Sequence, residues 1–179
     1  MKWVVWVGSV RKGSYNAAVA RALGGLAPEG VEIERLPSVA ELPIYDGDIE
    51  AEGLPQTVVA LGEAIRAADA LVIVTPEYNY SVPGGLKNAI DWTSRVKPQP
   101  LKGKPLLILS ASQGVFGGAR AQYHLRQILV GLDARVMNVP EVMVSTAHKK
   151  VSEAGELNDQ PTLDFIGKQL AAFKGFVGG

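Results

Sequence analysis

Cysteine is absent from this 179-residue chain, and histidine occurs only at His124 and His148. Without cysteine there is no disulfide, no thiolate nucleophile and no thiolate metal ligand, so any redox chemistry has to reside on a bound cofactor. The two histidines are far apart in the sequence and form no H-x-x-x-H or H-E-x-x-H pattern. A metal site held by the protein is therefore not expected.

The chain also lacks a surplus of charge of either sign and any long apolar run. Lys and Arg together number 18, as do Asp and Glu, so the formal net charge is +0. A nucleic-acid partner is not expected, because such domains usually carry a basic surplus. No segment approaches the roughly 18 apolar residues of a membrane span, and the apolar stretch before Gly8 is too short for a signal-peptide core. We expect a cytoplasmic protein with no membrane partner.

Short apolar segments alternate with helix-like segments along the whole chain. The predicted strands cover residues 3–7, 31–36, 69–75, 104–112 and 134–139. The predicted helices cover residues 15–26, 57–68, 84–94, 119–131 and 162–173. Residues 37–56 are predicted to form a loop, and residues 140–161 an irregular excursion before the last helix.

The strands are short and continuously apolar, as strands buried on both faces of a parallel sheet require. The alternation predicts one α/β domain over residues 1–179, with a doubly wound sheet between two layers of helices. Ligands of such sheets bind at the carboxyl ends of the strands. Three segments follow those ends, and we call residues 8–16 the first loop, 76–84 the second loop and 112–118 the third loop.

The first loop, within "VWVGSVRKGSYN", leads from a strand into a helix, where unpaired N–H groups attract an anion. It does not have the Lys that a Walker A loop needs after Gly13, and Val10 stands where a Rossmann motif needs its second Gly. One reading is an ordinary turn with Ser14 as the helix N-cap. The composition favours a monophosphate site instead, built from the side chains of Ser9, Arg11, Ser14 and Asn16.

The second and third loops are also unusual in composition. In the second, "PEYNYSVPG", Tyr78 and Tyr80 supply flat amphipathic surfaces, and Asn79 could hydrogen-bond to a heteroaromatic edge. Tyr80 could equally pack in the core or at a subunit contact. The third loop, "SQGVFGG", is either a simple Gly-rich turn or a rim of hydrogen-bond donors, which would include Ser112, Gln113 and Gly114.

At these positions the sequence resembles the NADPH-dependent FMN reductase family, and within it the soluble quinone and chromate reductases of bacteria. The matching segments are G-S-x-R-x-x-S-x-N from Gly8, "PEYNYSVPGGLKNAIDW" from Pro76, and "GGARAQYHLRQIL" from Gly117. The resemblance extends over essentially the whole chain. It implies a flavodoxin-like fold, with a five-stranded parallel sheet of order 2-1-3-4-5 in a three-layer α/β/α sandwich.

The resemblance also implies FMN as cofactor and NADPH or NADH as co-substrate. The phosphate would be held in the first loop, and the isoalloxazine ring would lie between the second and third loops. No protein side chain is expected to be catalytic, because the flavin carries the chemistry. The implied cofactor-binding residues are Ser9, Arg11, Ser14, Tyr15, Asn16, Pro76, Glu77, Tyr78, Asn79, Ser112, Gln113 and Gly114.

The expected reaction passes hydride from NAD(P)H through FMN to quinones, with chromate or free flavin as further acceptors. A flavodoxin-type electron carrier is the alternative, although such carriers tend to be strongly acidic. An FMN-binding regulatory protein and an azo- or nitro-compound reductase are further alternatives. The resemblance implies a homodimer or a homotetramer, and the polar residues Arg120, Tyr123, His124 and Glu141 form either a solvated face or a subunit contact.

Overall fold

A computed structural model describes the whole chain, residues 1–179, as six strands and six helices. The strands are β1 (Lys2–Val7), β2 (Glu32–Arg35), β3 (Ala70–Thr75), β4 (Pro105–Ala111), β5 (Arg135–Val136) and β6 (Val142–Val144). The helices are α1 (Tyr15–Ala22), α2 (Gly47–Glu52), α3 (Gln56–Ala67), α4 (Gly84–Arg95), α5 (Ala119–Val130) and α6 (Gln160–Gly178). None of these helices has the length and apolar character needed to cross a membrane.

The strands form one parallel sheet of order β2-β1-β3-β4-β5, with β6 also paired to β4. This confirms the predicted flavodoxin-like order. Alternate side chains of the central strands enter two separate cores. One core packs Trp3 and Val5 against α1 and α6, and the other packs Trp6 and Ile73 against α3, α4 and α5. Helices therefore cover both faces, as in the predicted three-layer sandwich.

The fifth strand differs from its prediction. Residues 134–139 were expected to form one strand, but only Arg135–Val136 pairs with the start of β4. After Met137 the chain moves away from β4. It comes back alongside β4 as β6, which pairs with the last residues of β4, Leu109 to Ala111. Pro140 lies between the two segments and has no N–H to donate to a ladder. The fifth position of the sheet is therefore filled by two short strands.

Two regions predicted to be irregular contain more structure than expected. Residues 37–56 include a 3₁₀ turn at Val39–Glu41, which begins at a capping box between Ser38 and Glu41. They also include α2, which begins where the Asp46 side chain accepts the Asp48 N–H. Residues 140–161 include β6 and a further 3₁₀ turn at Ala147–Lys149. Polar capping side chains start the turn at Val39–Glu41 and α2, and no apolar period accompanies them.

Residues 43–45 are fixed against α4. Asn88 Nδ2 and the Trp92 indole N–H both donate to the Pro43 carbonyl oxygen, at 2.8 and 2.9 Å. Asn88 Oδ1 in turn accepts the Tyr45 N–H at 2.7 Å. The "NAIDW" part of the long motif therefore fixes a neighbouring loop.

Candidate FMN site

The first, second and third loops converge at the carboxyl edge of the sheet and enclose an open cleft of about 160 Å³. Ten of the twelve predicted cofactor-binding residues line it, together with Ala111, which the sequence did not indicate. The two others, Asn79 and Gly114, lie in the same loops outside the cleft lining. The residues of the lining are Ser9, Arg11, Ser14, Tyr15, Asn16, Pro76, Glu77, Tyr78, Ala111, Ser112 and Gln113.

The first loop passes close to the neighbouring strand. A Cβ on Gly8 would come within 2.9 Å of Thr75 Oγ1, so only glycine lets β1 turn out of the sheet here. The loop then meets α1, where Ser14 is the N-cap and its Oγ accepts the Ala17 N–H at 3.3 Å. The N-cap reading is therefore correct. It is compatible with the phosphate reading, because the Ser14 O–H hydrogen is still available to donate.

The loop offers donors that find no acceptor in the chain. The backbone N–H groups of Tyr15 and Asn16, in the first turn of α1, make no hydrogen bond within the protein. The same holds for the N–H groups of Lys12 and Gly13. Arg11 lies above the Tyr15 ring, 5.4 Å from its centroid, and forms no ion pair with a carboxylate. Such groups are the donors that an anion requires.

Asn16 has a further structural task. Its Nδ2 donates to the Ala111 carbonyl oxygen at 2.9 Å, and its Oδ1 accepts the Ala111 N–H at 2.9 Å. The side chain is 2% exposed. Both ends of the amide are thus used to join α1 to the end of β4. The backbone N–H of Asn16 makes no hydrogen bond within the protein and is free to donate to a ligand.

The second loop contains a tight turn. Tyr78 and Ser81 exchange two backbone hydrogen bonds of 3.0 Å, and the residues between them, Asn79 and Tyr80, have φ of 49° and 67°. This is the pattern of a type I′ turn, in which Asn is common and a bulky residue such as Tyr is not. The turn exposes both tyrosine rings, Tyr78 by 49% and Tyr80 by 71%. Tyr80 is therefore not a core residue.

Glu77 is directed away from solvent toward α5. Its Oε2 accepts the backbone N–H groups of Arg120 and Ala121, at 3.0 and 3.3 Å, and its Oε1 pairs with Arg120 Nη1 at 3.0 Å. A carboxylate at a helix N-terminus satisfies unpaired donors and the positive end of the helix dipole. Glu77 thus caps α5, a role that the sequence did not indicate.

The third loop is tightly packed. A Cβ on Gly117 would lie 2.7 Å from the Met143 carbonyl carbon, and one on Gly118 would lie 2.7 Å from the Ser110 Cβ. The Ser110 hydroxyl donates to the Gly117 carbonyl oxygen at 2.7 Å. These contacts leave room only for glycine, so the Gly-rich composition reflects close packing. The loop is connected to the first loop through Gln113 Nε2, which donates to the Tyr15 hydroxyl at 3.4 Å.

The segment after β6 supports the third loop as well. The Ser112 N–H donates to the Val144 carbonyl oxygen, and the Ala147 and Thr146 N–H groups donate to Ser112 and Gly114, at distances of 2.9–3.2 Å. The sequence gave no indication of this contact, because the backbone makes all of it. Residues 144–147 therefore belong to the rim of the site.

The polar residues of α5 find partners within the chain. The Tyr123 hydroxyl donates to Glu141 Oε2 at 3.0 Å, and Arg126 Nη2 lies 3.4 Å from Glu141 Oε1. The hydrogen bond to the carboxylate raises the pKa of Tyr123 above its ordinary value. Arg120 pairs with Glu77, as described above, and not with Glu141.

The comparisons with known proteins agree with this geometry. Residues 1–149 match the model of the NADPH-dependent FMN reductase family. The chain belongs to that family. It is 60% identical over 176 residues to a quinone reductase of Escherichia coli K12. This alignment covers 97% of this chain and 94% of the relative. It is 51% identical over 170 residues to an NAD(P)H-dependent FMN reductase of Pseudomonas aeruginosa, covering 95% of this chain and 91% of that protein.

Solved structures show the same fold. A flavoenzyme NAD(P)H:(acceptor) oxidoreductase from Paracoccus denitrificans superposes with a TM-score of 0.88 at 35% identity, covering 99% of this chain and 97% of its own. A flavodoxin from Pseudomonas aeruginosa superposes with a TM-score of 0.55 at 19% identity, covering 96% of this chain and 99% of its own. The flavodoxin likeness concerns the fold alone.

The residues of this FMN reductase fit its cofactor. The unpaired N–H groups, the Ser14 hydroxyl and the Arg11 guanidinium suit a terminal phosphate, which is costly to bury without such partners. The cleft between the loops is smaller than the roughly 300–1,000 Å³ of typical ligand pockets, and its rim is open. That rim carries the exposed Tyr78 ring.

Proposed function

We propose that this FMN reductase oxidises NAD(P)H and reduces quinones. The overall reaction converts NAD(P)H, a proton and a quinone into NAD(P)⁺ and a hydroquinone, so two electrons leave the nicotinamide and two enter the acceptor. Bound FMN supplies the capacity to take a hydride and to pass on its electrons. The observation that carries the proposal is the convergence of a loop with unpaired hydrogen-bond donors and an exposed aromatic turn at one edge of the sheet.

The role of the chain is to position the FMN and to select the substrates. Arg11, Ser14 and the N–H groups of the first loop anchor the phosphate end. The second loop, from Pro76 to Asn79, and the third loop, from Ser112 to Gly114, line the two sides of the ring. The open rim leaves space for a flat substrate to stack there, and the nicotinamide and a quinone are both flat. Relatives named quinone reductase at 60% and 46% identity support this acceptor class.

A flavodoxin-type carrier is the rival function. Carriers that dock on basic partners present acidic surfaces, whereas this chain has a formal net charge of +0. A carrier would also need a separate reductase to oxidise NAD(P)H.

We further propose chromate and free flavin as secondary electron acceptors. The open rim of the cleft is the feature that supports them.

Steady-state kinetics test the proposal. In the absence of oxygen, the purified protein reconstituted with FMN should oxidise many equivalents of NADPH or NADH only when 1,4-benzoquinone is added, at a rate proportional to the enzyme concentration. Protein stripped of FMN is the control and should be inactive. A protein that binds FMN but needs a second reductase before any NAD(P)H is consumed would be a carrier.

We also propose that the protein is a homodimer or homotetramer of the cytoplasm, where NAD(P)H is available. The support for assembly is the polar cluster of exposed Tyr123 with half-buried Arg126 and Glu141, together with the resemblance to oligomeric reductases. Light scattering should give a mass that is a multiple of 19.0 kDa, and a smaller mass for Glu141→Ala. A single-chain mass for the native protein would contradict assembly, and an unchanged mass for the variant would exclude this surface.

A further inference from the structure

We propose that Arg120 is a positioning residue that fixes the second and third loops against each other on either side of the flavin ring. The proposal rests on the proposed function, because it assigns a role to the loops that hold the ring. Arg120 is not in the lining of the cleft. It acts through the residues that it holds.

The guanidinium of Arg120 lies between two aromatic rings from different loops. Its central carbon is 4.1 Å from the centroid of the Tyr80 ring, in the second loop, and 4.3 Å from the centroid of the Phe116 ring, in the third. Both distances are well within the roughly 6 Å over which a cation is attracted to a ring. One side chain at the start of α5 therefore connects the two loops.

The same guanidinium also forms an ion pair with Glu77, at 3.0 Å between Nη1 and Oε1. The carboxylate side chain of Glu77 is 11% exposed, and its other oxygen caps α5. The pair is thus shielded from solvent more than an ordinary surface ion pair, which contributes little. Glu77 immediately precedes Tyr78, whose ring is on the rim of the cleft, so the pair fixes the start of the aromatic turn.

The turn needs such an external support. Asn79 and Tyr80 both have left-handed backbone conformations, which are unfavourable for tyrosine and persist where the surroundings hold them. Tyr80 is held by Arg120. At the far side of the turn, Ser81 Oγ and His124 Nδ1 are 2.7 Å apart, and His124 is one helical turn beyond Arg120. Successive turns of one face of α5 therefore hold the second half of the 78–81 turn, and Arg120 also holds Glu77, the residue before it.

Because these loops lie on either side of the flavin ring, Arg120 is expected to affect the reaction at the ring rather than the stability of the protein. Enzymes are sensitive to small displacements of the groups that orient a reacting ring. The phosphate anchor lies in the first loop, which Arg120 does not contact. Loss of Arg120 should therefore impair reaction at the ring much more than it weakens FMN binding.

The test compares Arg120→Ala with native protein, both loaded with FMN. In stopped-flow experiments without oxygen, kcat/KM for 1,4-benzoquinone should fall about tenfold or more in the variant, the scale of a misplaced reacting group. The visible circular dichroism of the bound flavin should change, while the Kd for FMN changes far less than it does in Arg11→Ala. Arg120→Lys, which keeps the ion pair with Glu77 and loses the flat stacking surface, should recover part of the rate.

The matched control is Arg135→Ala. Arg135 also stacks on an aromatic ring, at 4.9 Å from the Phe176 centroid, but it lies at the start of β5, at the opposite edge of the sheet. Its loss should leave the flavin spectrum and kcat/KM unchanged. Phe116→Leu provides a second variant at an exposed ring, and it should give a smaller rate loss than Arg120→Ala because the Glu77 pair remains.

The proposal is overturned if Arg120→Ala and Phe116→Leu both keep the native flavin spectrum and kcat/KM. It is also overturned if Arg135→Ala lowers the rate as much as Arg120→Ala does, because the effect would then be one of general stability. Failure of the proposed function has a different signature, since the native protein itself would then not pass electrons from NAD(P)H to the quinone.

Discussion

At the scale of single residues, several side chains of the candidate site combine a structural contact with free hydrogen-bond donors. Ser14 caps α1 through its oxygen, and its O–H hydrogen is free to donate. Asn16 joins α1 to β4 through the oxygen and the nitrogen of its side-chain amide and keeps its backbone N–H unpaired. The motif G-S-x-R-x-x-S-x-N therefore encodes a structural joint, and its free donors suit an anion. Arg11 contacts the Tyr15 ring and forms no ion pair within the chain.

Arg11 is therefore expected to act mainly on cofactor binding. Arg11→Ala should weaken FMN binding by about 1.5–3 kcal/mol, the scale of a hydrogen bond to a charged group. Fluorescence titration of the FMN-free protein measures this change. Riboflavin, which has no phosphate, should bind equally well to both proteins. Lys12→Ala is the control for the loss of a positive charge next to Arg11. Equal FMN affinity in Arg11→Ala and native protein would refute the phosphate assignment.

Asn16 is expected to act on stability even without FMN. Asn16→Ala leaves the buried N–H and C=O groups of Ala111 without partners, so the free energy of unfolding should fall by about 1–3 kcal/mol. Urea unfolding of the FMN-free protein measures it, and Asn138→Ala, at an exposed position, should stay within about 0.5 kcal/mol of native. If Asn16→Ala is as stable as Asn138→Ala, the joint between α1 and β4 is not important for stability.

At the scale of elements, the long apolar strands were predictable from the sequence, and the short polar elements were not. β3 and β4 are short, continuous apolar runs, which is the pattern of strands buried on both faces of a sheet. α2 and the 3₁₀ turn at Val39–Glu41 depend on single capping side chains, which give a weak signal. The split of the fifth strand into β5 and β6 depends on which backbone groups reach β4, and residue types do not specify this.

The same distinction applies to the site. Its location at the carboxyl edge follows from loop composition and topology, and the family resemblance completes the ten of its eleven lining residues that were predicted. The capping of α5 by Glu77 and the backbone contacts of residues 144–147 could not be predicted in this way. Both join residues that are far apart in the sequence, and the second set uses only backbone atoms. Such contacts become visible only in three dimensions.

α6 provides a prediction of pH dependence. Asp159 caps this helix by accepting the hydroxyl and N–H hydrogens of Thr162, at 2.5 and 3.1 Å, and these bonds hold its pKa below the ordinary value. A lowered pKa means that the folded protein favours the charged carboxylate. The stabilisation is thus complete above the unfolded-state pKa of about 3.9 and is lost as the pH falls through the lower folded value.

Asp159→Ala should accordingly be less stable than native protein at neutral pH, with a difference that shrinks as the pH is lowered through the acid range. Thermal unfolding of both proteins at a series of pH values measures this difference. A difference that stays constant down to the lowest pH at which the protein folds would show that the charge of Asp159 does not matter.

At the scale of the whole molecule, the fold separates stability from function. The two apolar cores lie on the faces of the sheet and hold the buried tryptophans Trp3 and Trp6. The site lies at one edge of the sheet, in three loops that are connected by a few specific contacts. One guanidinium, that of Arg120, connects two of these loops.

The central claim is that one protein takes electrons from NAD(P)H and gives them to a quinone through bound FMN. The most direct test is the visible flavin absorbance of the purified, FMN-loaded protein in the absence of oxygen. We predict that the absorbance bleaches when one equivalent of NADPH or NADH is added and returns in full when one equivalent of 1,4-benzoquinone follows. Absorbance that does not respond to either nicotinamide, or that stays bleached after the quinone is added, would contradict the account.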